Sequence, residues 1–241
     1  MRIAIIGAGG IGGHLAVRLA EAGNAVSVLA RGAHLAAIRE RGLTLRTPDG
    51  ETTRRFEAAS DTGADLPAAE LVIFATKAHD LDGAMEAAAP LMEGASMALP
   101  VLNGVEATER LAARFGAEKA LIGIARLSAF IEAPGVVVQA TAGHSYTLGE
   151  ADGSQETGRL RALHALFAEA GIVTNESADV RVDLWRKFAG LTAFSATTAG
   201  ARCDAGTVAA TPELGALYRR IAGEVVALAA AEGIALPETT P

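Results

Sequence analysis

A glycine-rich turn, Gly7-Ala8-Gly9-Gly10-Ile11-Gly12, follows a short apolar run that begins at residue 2 and opens a helix-like stretch. The spacing is G-x-G-x-x-G, and between a strand and a helix each glycine has a task. The first allows a tight turn, the second lets the backbone approach a pyrophosphate, and the third permits close helix–strand packing, while the helix N-terminus offers free N–H groups to an anion. Gly7, Gly9, Gly10, Ile11 and Gly12 are therefore the expected cradle of a dinucleotide. About twenty residues further on, the next apolar run, Val26-Ser27-Val28-Leu29-Ala30, ends in Arg31, with no acid beside it. A carboxylate there would accept from the 2′-hydroxyl of NAD and repel a phosphate; a guanidinium binds the 2′-phosphate of NADP bidentately. Arg31 thus predicts NADP(H) over NAD(H), against the ordinary reading of a strand-end arginine as a solvated charge. Lys77, just past Phe74-Ala75-Thr76, also falls at a strand's carboxyl end, where open α/β sheets hold ligands. A plain surface lysine is the rival reading.

The elements that must position these residues follow from hydrophobic periodicity. Ile3–Ile6, Ala25–Ala30, Leu71–Thr76 and Met97–Leu102 predict strands; His14–Ala22, Leu81–Leu91 and Ala107–Phe115 predict helices. Strands alternating with helices are the mark of a parallel α/β sheet. Leu43–Phe56, with the turn Pro48-Asp49-Gly50, reads as a hairpin inserted into that unit. Closely spaced strands from Ala120 to Gly149, with a Pro134-Gly135 turn, predict a meander at the sheet edge. A helix at Gln155–Ala170 and a strand at Ile172–Thr174 follow. After Ser177 the pattern becomes helical, with breaks near Gly200 and Pro212, so the expected domains are 1–177 and 178–241. The second comprises three helices, the last running from Pro212 to Glu232.

Composition excludes several classes of function. Of 241 residues, 50% are hydrophobic and 20% charged, which rules out intrinsic disorder. Twenty-one Lys+Arg against 28 Asp+Glu give a net charge of −7, so there is no footprint for nucleic acid or anionic lipid, and a small-molecule partner is expected. The single cysteine, Cys203, excludes an intramolecular disulfide or a multi-thiolate zinc site and fits a reducing, cytoplasmic setting. Glycines interrupt the apolar N-terminus, which reads as mature protein rather than a signal peptide. No apolar run approaches the roughly 18–20 residues of a membrane span. His14, His34, His79, His144 and His164 are too dispersed for a metal site and are given no role; Arg39, Arg41, Arg46, Arg54 and Arg55 read as a solvated basic face.

Further stretches extend the pattern: Ala30-Arg31-Gly32-Ala33-His34-Leu35, Ile38-Arg39-Glu40-Arg41-Gly42-Leu43-Thr44-Leu45, Thr76-Lys77-Ala78, Leu102-Asn103-Gly104-Val105, Pro134-Gly135-Val136 and Asp183-Leu184-Trp185-Arg186-Lys187-Phe188. In their order and spacing, and over nearly the whole chain, they make the sequence resemble the ketopantoate reductase (2-dehydropantoate 2-reductase) family. The resemblance implies a Rossmann-type doubly wound domain, a smaller all-helical C-terminal domain, and an active site in the cleft between them. By the same resemblance Arg31 and Lys77 serve the 2′-phosphate end or the adjacent cofactor pocket, Asn103 lies near the nicotinamide ribose and the substrate, and Lys187 matches the catalytic lysine. The implied reaction is NADPH-dependent reduction of ketopantoate to pantoate, in pantothenate biosynthesis. The chemistry is coherent: hydride addition puts negative charge on the carbonyl oxygen, and a positioned ammonium stabilises it and delivers the proton. An exposed i,i+4 ion pair with Asp183 is the structural alternative for Lys187.

Two departures qualify the resemblance. The family pattern places asparagines four and eight residues after the lysine, on one helix face; here those substrate positions hold Leu191 and Ser195. A less polar 2-oxo acid is the alternative substrate, and repacking of a core position is the other account of Leu191. Family members also continue beyond the position of Pro241, through a serine and a carboxylate implicated in substrate binding and catalysis. The expectation is a truncated form with an incomplete helical domain, either a fragment or a non-catalytic NADP(H)-binding redox sensor. Glu224 and Glu232 read as solvated helix residues, not replacements. The run Val225-Val226-Ala227-Leu228 is expected to be exposed and to favour association, for which a homodimer is the simplest form.

Overall fold

The run Ile3-Ala4-Ile5-Ile6 lacks the polar alternation of a half-exposed strand, as befits a strand covered on both faces. In the computed structural model, which describes residues 1–155 and 157–237, it lies in β1 (Arg2–Ile6). There follow α1 (Gly10–Glu21), β2 (Ala25–Leu29), α2 (Gly32–Arg41), β3 (Leu43–Thr47), β4 (Gly50–Arg54), β5 (Ala58–Ser60), β6 (Leu71–Phe74), α3 (Leu81–Met92), β7 (Met97–Pro100) and α4 (Ala107–Phe115). The first sheet is parallel throughout, in the order β5-β2-β1-β6-β7. This is the doubly wound arrangement that the alternating pattern predicts.

Successive side chains of each strand feed different cores. Ile3 and Ile5 join Val26, Val28, Ile73 and Leu99 on the side of the sheet where Leu15 and Leu19 of α1 pack. Ala4 and Ile6 join Val72, Phe74 and Ala98 on the side of Leu81, Met85, Ala88 and Leu91 of α3. A period of two in the strands and an apolar stripe on each helix are what this layering requires.

The remaining strands are β8 (Leu121–Arg126), β9 (Ala129–Ala133), β10 (Val136–Gln139) and β11 (Ser145–Glu150), then α5 (Gly158–Glu169) and β12 (Thr174–Asn175). They do not form the expected meander at the sheet edge. β8 and β11 pair antiparallel in a three-stranded sheet ordered β12-β11-β8. The β9–β10 hairpin leaves them, and β10 pairs parallel with β3 to make the sheet β4-β3-β10-β9. The inserted β3–β4 hairpin has an unpaired edge that a second hairpin completes, a long-range pairing for which local periodicity carries no signal. Helix α5 begins three residues later than the periodicity predicts, because Thr157 caps it by accepting from the Leu160 N–H at 3.2 Å. Glu156, inside that expected helix, lies outside the described residues.

The chain divides into two compact units, Met1–Ala178 and Asp179–Pro241. The second consists, among the described residues, of α6 (Val180–Ala201), α7 (Ala205–Ala210) and α8 (Pro212–Ala231). Asp179 and Asp204 cap the first two by accepting from the backbone N–H groups of Arg181 and Thr207, at 2.9 and 2.8 Å. Pro212 starts α8, where its missing N–H costs nothing. Small buried residues, Ala189, Ala193 and Thr197 on α6 and Ala222 and Ala229 on α8, occur where these two helices pack, and the Tyr218 hydroxyl donates to the Gly190 carbonyl at 3.4 Å. The expected apolar surface is only part of the run proposed for it: Val225 is buried, whereas Leu228 is exposed. Residues 238–241, the end of the expected second domain, lie outside the described residues. No helix among the described residues is long and apolar enough to cross a membrane.

Candidate active site

The glycine turn joins β1 to α1 as its spacing predicts. Gly7 has φ +95°, and a Cβ there would stand 2.9 Å from the Thr76 side chain. Gly12 is buried, and a Cβ on it would fall 1.9 Å from the Gly7 carbonyl oxygen, so only glycine lets the helix close onto the turn. Gly9 is different: nothing lies within 4 Å of its missing Cβ. Gly9 also caps α1, without any side-chain hydrogen bond to the first turn. A backbone open to close approach, in front of an uncapped helix start, fits a dinucleotide's pyrophosphate. Gly10 is held to glycine by packing as well, since its Cβ would meet the Ala129 carbonyl oxygen of β9 at 2.2 Å. Ile11 is half-buried against the core on the α1 side of the sheet.

His34, given no role by the sequence, ties this turn in place. Its Nε2 lies 2.8 Å from the Ala8 carbonyl oxygen, and the Gly135 N–H donates to its Nδ1 at 3.0 Å. Because Nδ1 accepts, the ring proton belongs on Nε2, and the neutral imidazole bridges the glycine turn to the β9–β10 turn. Burial lowers the His34 pKa, opposed by the hydrogen bond to Ala8, which raises it.

Arg31 and Lys77 stand where the strand ends place them. β2 and β6 both flank β1, with Leu29 and Phe74 in register with Ile6. Arg31 therefore follows one neighbour of the turn, and Lys77 the other. Both side chains are exposed. Arg31 has a partner that the sequence did not disclose: its Nη2 donates to both carboxylate oxygens of Asp80, at 3.3 and 3.2 Å. The other arginines singled out are engaged in structure. Arg39, Arg41 and Arg55 donate to the carbonyls of Ala59, Pro134 and Glu40, while Arg46 and Arg54 pair with carboxylates.

Asn103 is exposed in the loop after β7, directly before Gly104. The four strand ends β1, β2, β6 and β7 thus carry the glycine turn, Arg31, Lys77 and Asn103 on the same sheet edge, the carboxyl edge where such sheets hold ligands. Lys187, Leu191 and Ser195 all lie on α6 of the second unit, at i, i+4 and i+8, and so share a face. Lys187 and Leu191 are half-buried and Ser195 is exposed. The Asp183 carboxylate accepts from Arg186 Nη2 at 2.6 Å. Trp185 meets Phe188 edge-on, with ring centroids 5.9 Å apart.

Beneath the turn, α1 carries a second histidine into the core. His14 is fully buried, its Nδ1 3.1 Å from the Tyr146 hydroxyl and its ring 4.9 Å from that of His144. Burial, reinforced by His144 and Arg18, lowers its pKa to about 3, so the ring is neutral at physiological pH.

Comparison with known proteins bears on this arrangement. The family described as Ketopantoate reductase PanE/ApbA matches residues 3–153, and the family described as Ketopantoate reductase PanE/ApbA C terminal matches residues 179–241. A 2-dehydropantoate 2-reductase of Mesorhizobium japonicum is 30% identical over a 258-residue alignment that covers 98% of this chain and 78% of that protein. The crystal structure of 2-dehydropantoate 2-reductase from Porphyromonas gingivalis is similar with a TM-score of 0.91 at 26% identity, over 100% of this chain and 85% of the other. D-mandelate dehydrogenase, in ternary complex with NADH and anilino(oxo)acetate, shares the fold at a TM-score of 0.86 and 23% identity, over 98% of this chain and 76% of its own.

Proposed function

The chain belongs to the ketopantoate reductase family of oxidoreductases, and from that premise we propose that it reduces ketopantoate to pantoate with NADPH, in the cytoplasm and as a step of pantothenate biosynthesis. The observation that carries this reading is the gathering of an open glycine turn, Arg31 and Lys77 at the ends of three adjacent strands. A nicotinamide cofactor supplies the hydride when bound. The chain's own residues do the rest. Gly7, Gly9, Gly10, Ile11 and Gly12 give the pyrophosphate a backbone cradle, and Arg31 and Lys77 meet the 2′-phosphate with positive charge. Asn103 orients the nicotinamide ribose or the carbonyl through its amide. Lys187 holds a proton at Nζ, stabilises the oxyanion that develops at C2, and protonates it to the alcohol.

The test is ketopantoate-dependent oxidation of NADPH, with NADH in parallel and Lys187→Ala as control. Turnover that prefers NADPH and drops by about 10²–10⁴-fold in the variant supports the assignment. Turnover that survives the substitution removes Lys187 from the mechanism. Leu191 and Ser195 favour a second reading, in which the substrate is a less polar 2-oxo acid, and a panel of 2-oxo acids in the same assay separates the two. Cofactor binding with no turnover over that panel would instead favour a non-catalytic NADP(H)-binding sensor.

A further inference from the structure

Asp80 follows β6 and is the N-cap of α3, a position at which aspartate ordinarily accepts from the first-turn N–H groups. Its side chain makes no such bond. Both of its oxygens are instead turned to Arg31 Nη2, at 3.3 and 3.2 Å, and its Oδ2 lies 3.5 Å from His79 Nε2. The acid that the end of β2 lacks is thereby delivered from the end of β6, across 49 residues of chain, to the one arginine assigned to the adenosine 2′ position.

We propose that Asp80 is the residue that sets how far this site discriminates between NADPH and NADH. The inference rests on the assignment of Arg31 to the 2′ end of the cofactor. A 2′-phosphate only accepts hydrogen bonds and carries close to two negative charges at neutral pH. To use Arg31 Nη2 it must displace the Asp80 carboxylate or sit beside it as a like charge. A 2′-hydroxyl has the opposite requirement: it donates, and a carboxylate beside the ribose is the group that accepts from it. One ion pair therefore holds a partner for each cofactor, the guanidinium for NADPH and the carboxylate for NADH. The preference for NADPH that Arg31 alone would give is narrowed. Lys77 adds positive charge nearby but, as an ammonium, offers the ribose hydroxyl no acceptor.

The experiment is titration of the full chain with NADPH and with NADH, followed by nucleotide fluorescence, so that it reads binding without requiring turnover. Asp80→Asn removes the charge while leaving a residue equally suited to the helix start. It is expected to raise the NADPH-to-NADH affinity ratio by about tenfold, the effect of removing one unit charge about 6 Å from a doubly charged phosphate at a solvated site. Arg31→Ala is run beside it and is expected to lower NADPH affinity selectively. If Arg31→Ala does so while Asp80→Asn leaves the ratio unchanged, the role of Asp80 is overturned and that of Arg31 stands. If Arg31→Ala has no selective effect, the assignment of Arg31 fails, and the inference with it. Should Asp80→Asn not fold, Asp80→Ser, another favoured cap residue, gives the same readout.

Discussion

His34 shows how one side chain can condition a binding turn without touching the ligand it serves. Its ring is half-buried, its Nε2–H donates to the Ala8 carbonyl inside the glycine motif, and its Nδ1 accepts from Gly135. A second ring proton would face the Gly135 N–H, so the bridge exists only in the neutral form. Burial holds the folded pKa below 6.5; the bridge is complete above that pH and is lost as pH falls through the folded value. His34→Ala is expected to weaken NADP⁺ binding by about three- to tenfold, the loss of a typical net hydrogen bond, measured by calorimetry at pH 7.5. His34→Gln, whose amide N–H can still reach the Ala8 carbonyl, should recover part of it. As pH is lowered through the folded value, wild-type affinity should fall more steeply than that of His34→Ala, because titration of the 2′-phosphate is common to both. Parallel pH profiles would remove the bridge from cofactor binding. Neither His34 nor Asp80 was legible as a site residue in the sequence: their partners lie 26, 101 and 49 residues away, and no local pattern encodes such a meeting.

At the scale of elements, the sequence disclosed most of what positions the cofactor half. Continuous apolar runs became the buried strands β1, β6 and β7, and glycine spacing became a turn, because these signals are local and each is read within a few residues. Sheet membership was less legible: β8–β11 read as one meander, yet they serve two sheets. Helix α6 was legible to within a few residues, and with it the alignment of Lys187, Leu191 and Ser195 on one face. That face carries a prediction of its own. If Leu191 and Ser195 line the substrate position, Leu191→Asn should shift kcat/KM toward ketopantoate and away from 2-oxobutanoate-like apolar acids. A shift of about tenfold in the ratio is expected, since an added polar contact or a lost apolar one is worth roughly 1–2 kcal/mol. Half-burial suits both a lining and a packing role, so the discriminating readout is the ratio between substrates. A packing role alone would lower both rates together and leave their ratio where it was.

For the whole molecule, function and stability meet in α1, whose N-terminus forms the glycine turn and whose middle carries His14 into the core of the first unit. The ring stays neutral in the folded chain down to about pH 3, whereas in the unfolded chain it takes a proton near 6.5. The unfolded state therefore binds more protons between those limits, and stability present above pH 6.5 is lost progressively as pH falls toward 3. Between pH 7.5 and 5 this one group should remove about 2 kcal/mol from the first unit. Capping carboxylates such as Asp179, lowered by its hydrogen bond from Arg181, and Asp204, lowered by bonds from Thr207, act only once pH approaches the carboxylate range near about 4. The upper window thus belongs to histidines, with His34 and His164, both lowered by burial, adding in the same direction. Urea unfolding followed by far-UV circular dichroism at pH 7.5 and 5 tests this. His14→Gln keeps a polar side chain beside Tyr146 but cannot titrate, and although it lowers stability at both pH values, the difference between them should shrink by about 2 kcal/mol relative to wild type. An undiminished difference would mean that acid sensitivity arises elsewhere and that His14 is protonated without unfolding, which its buried place between His144 and Tyr146 argues against.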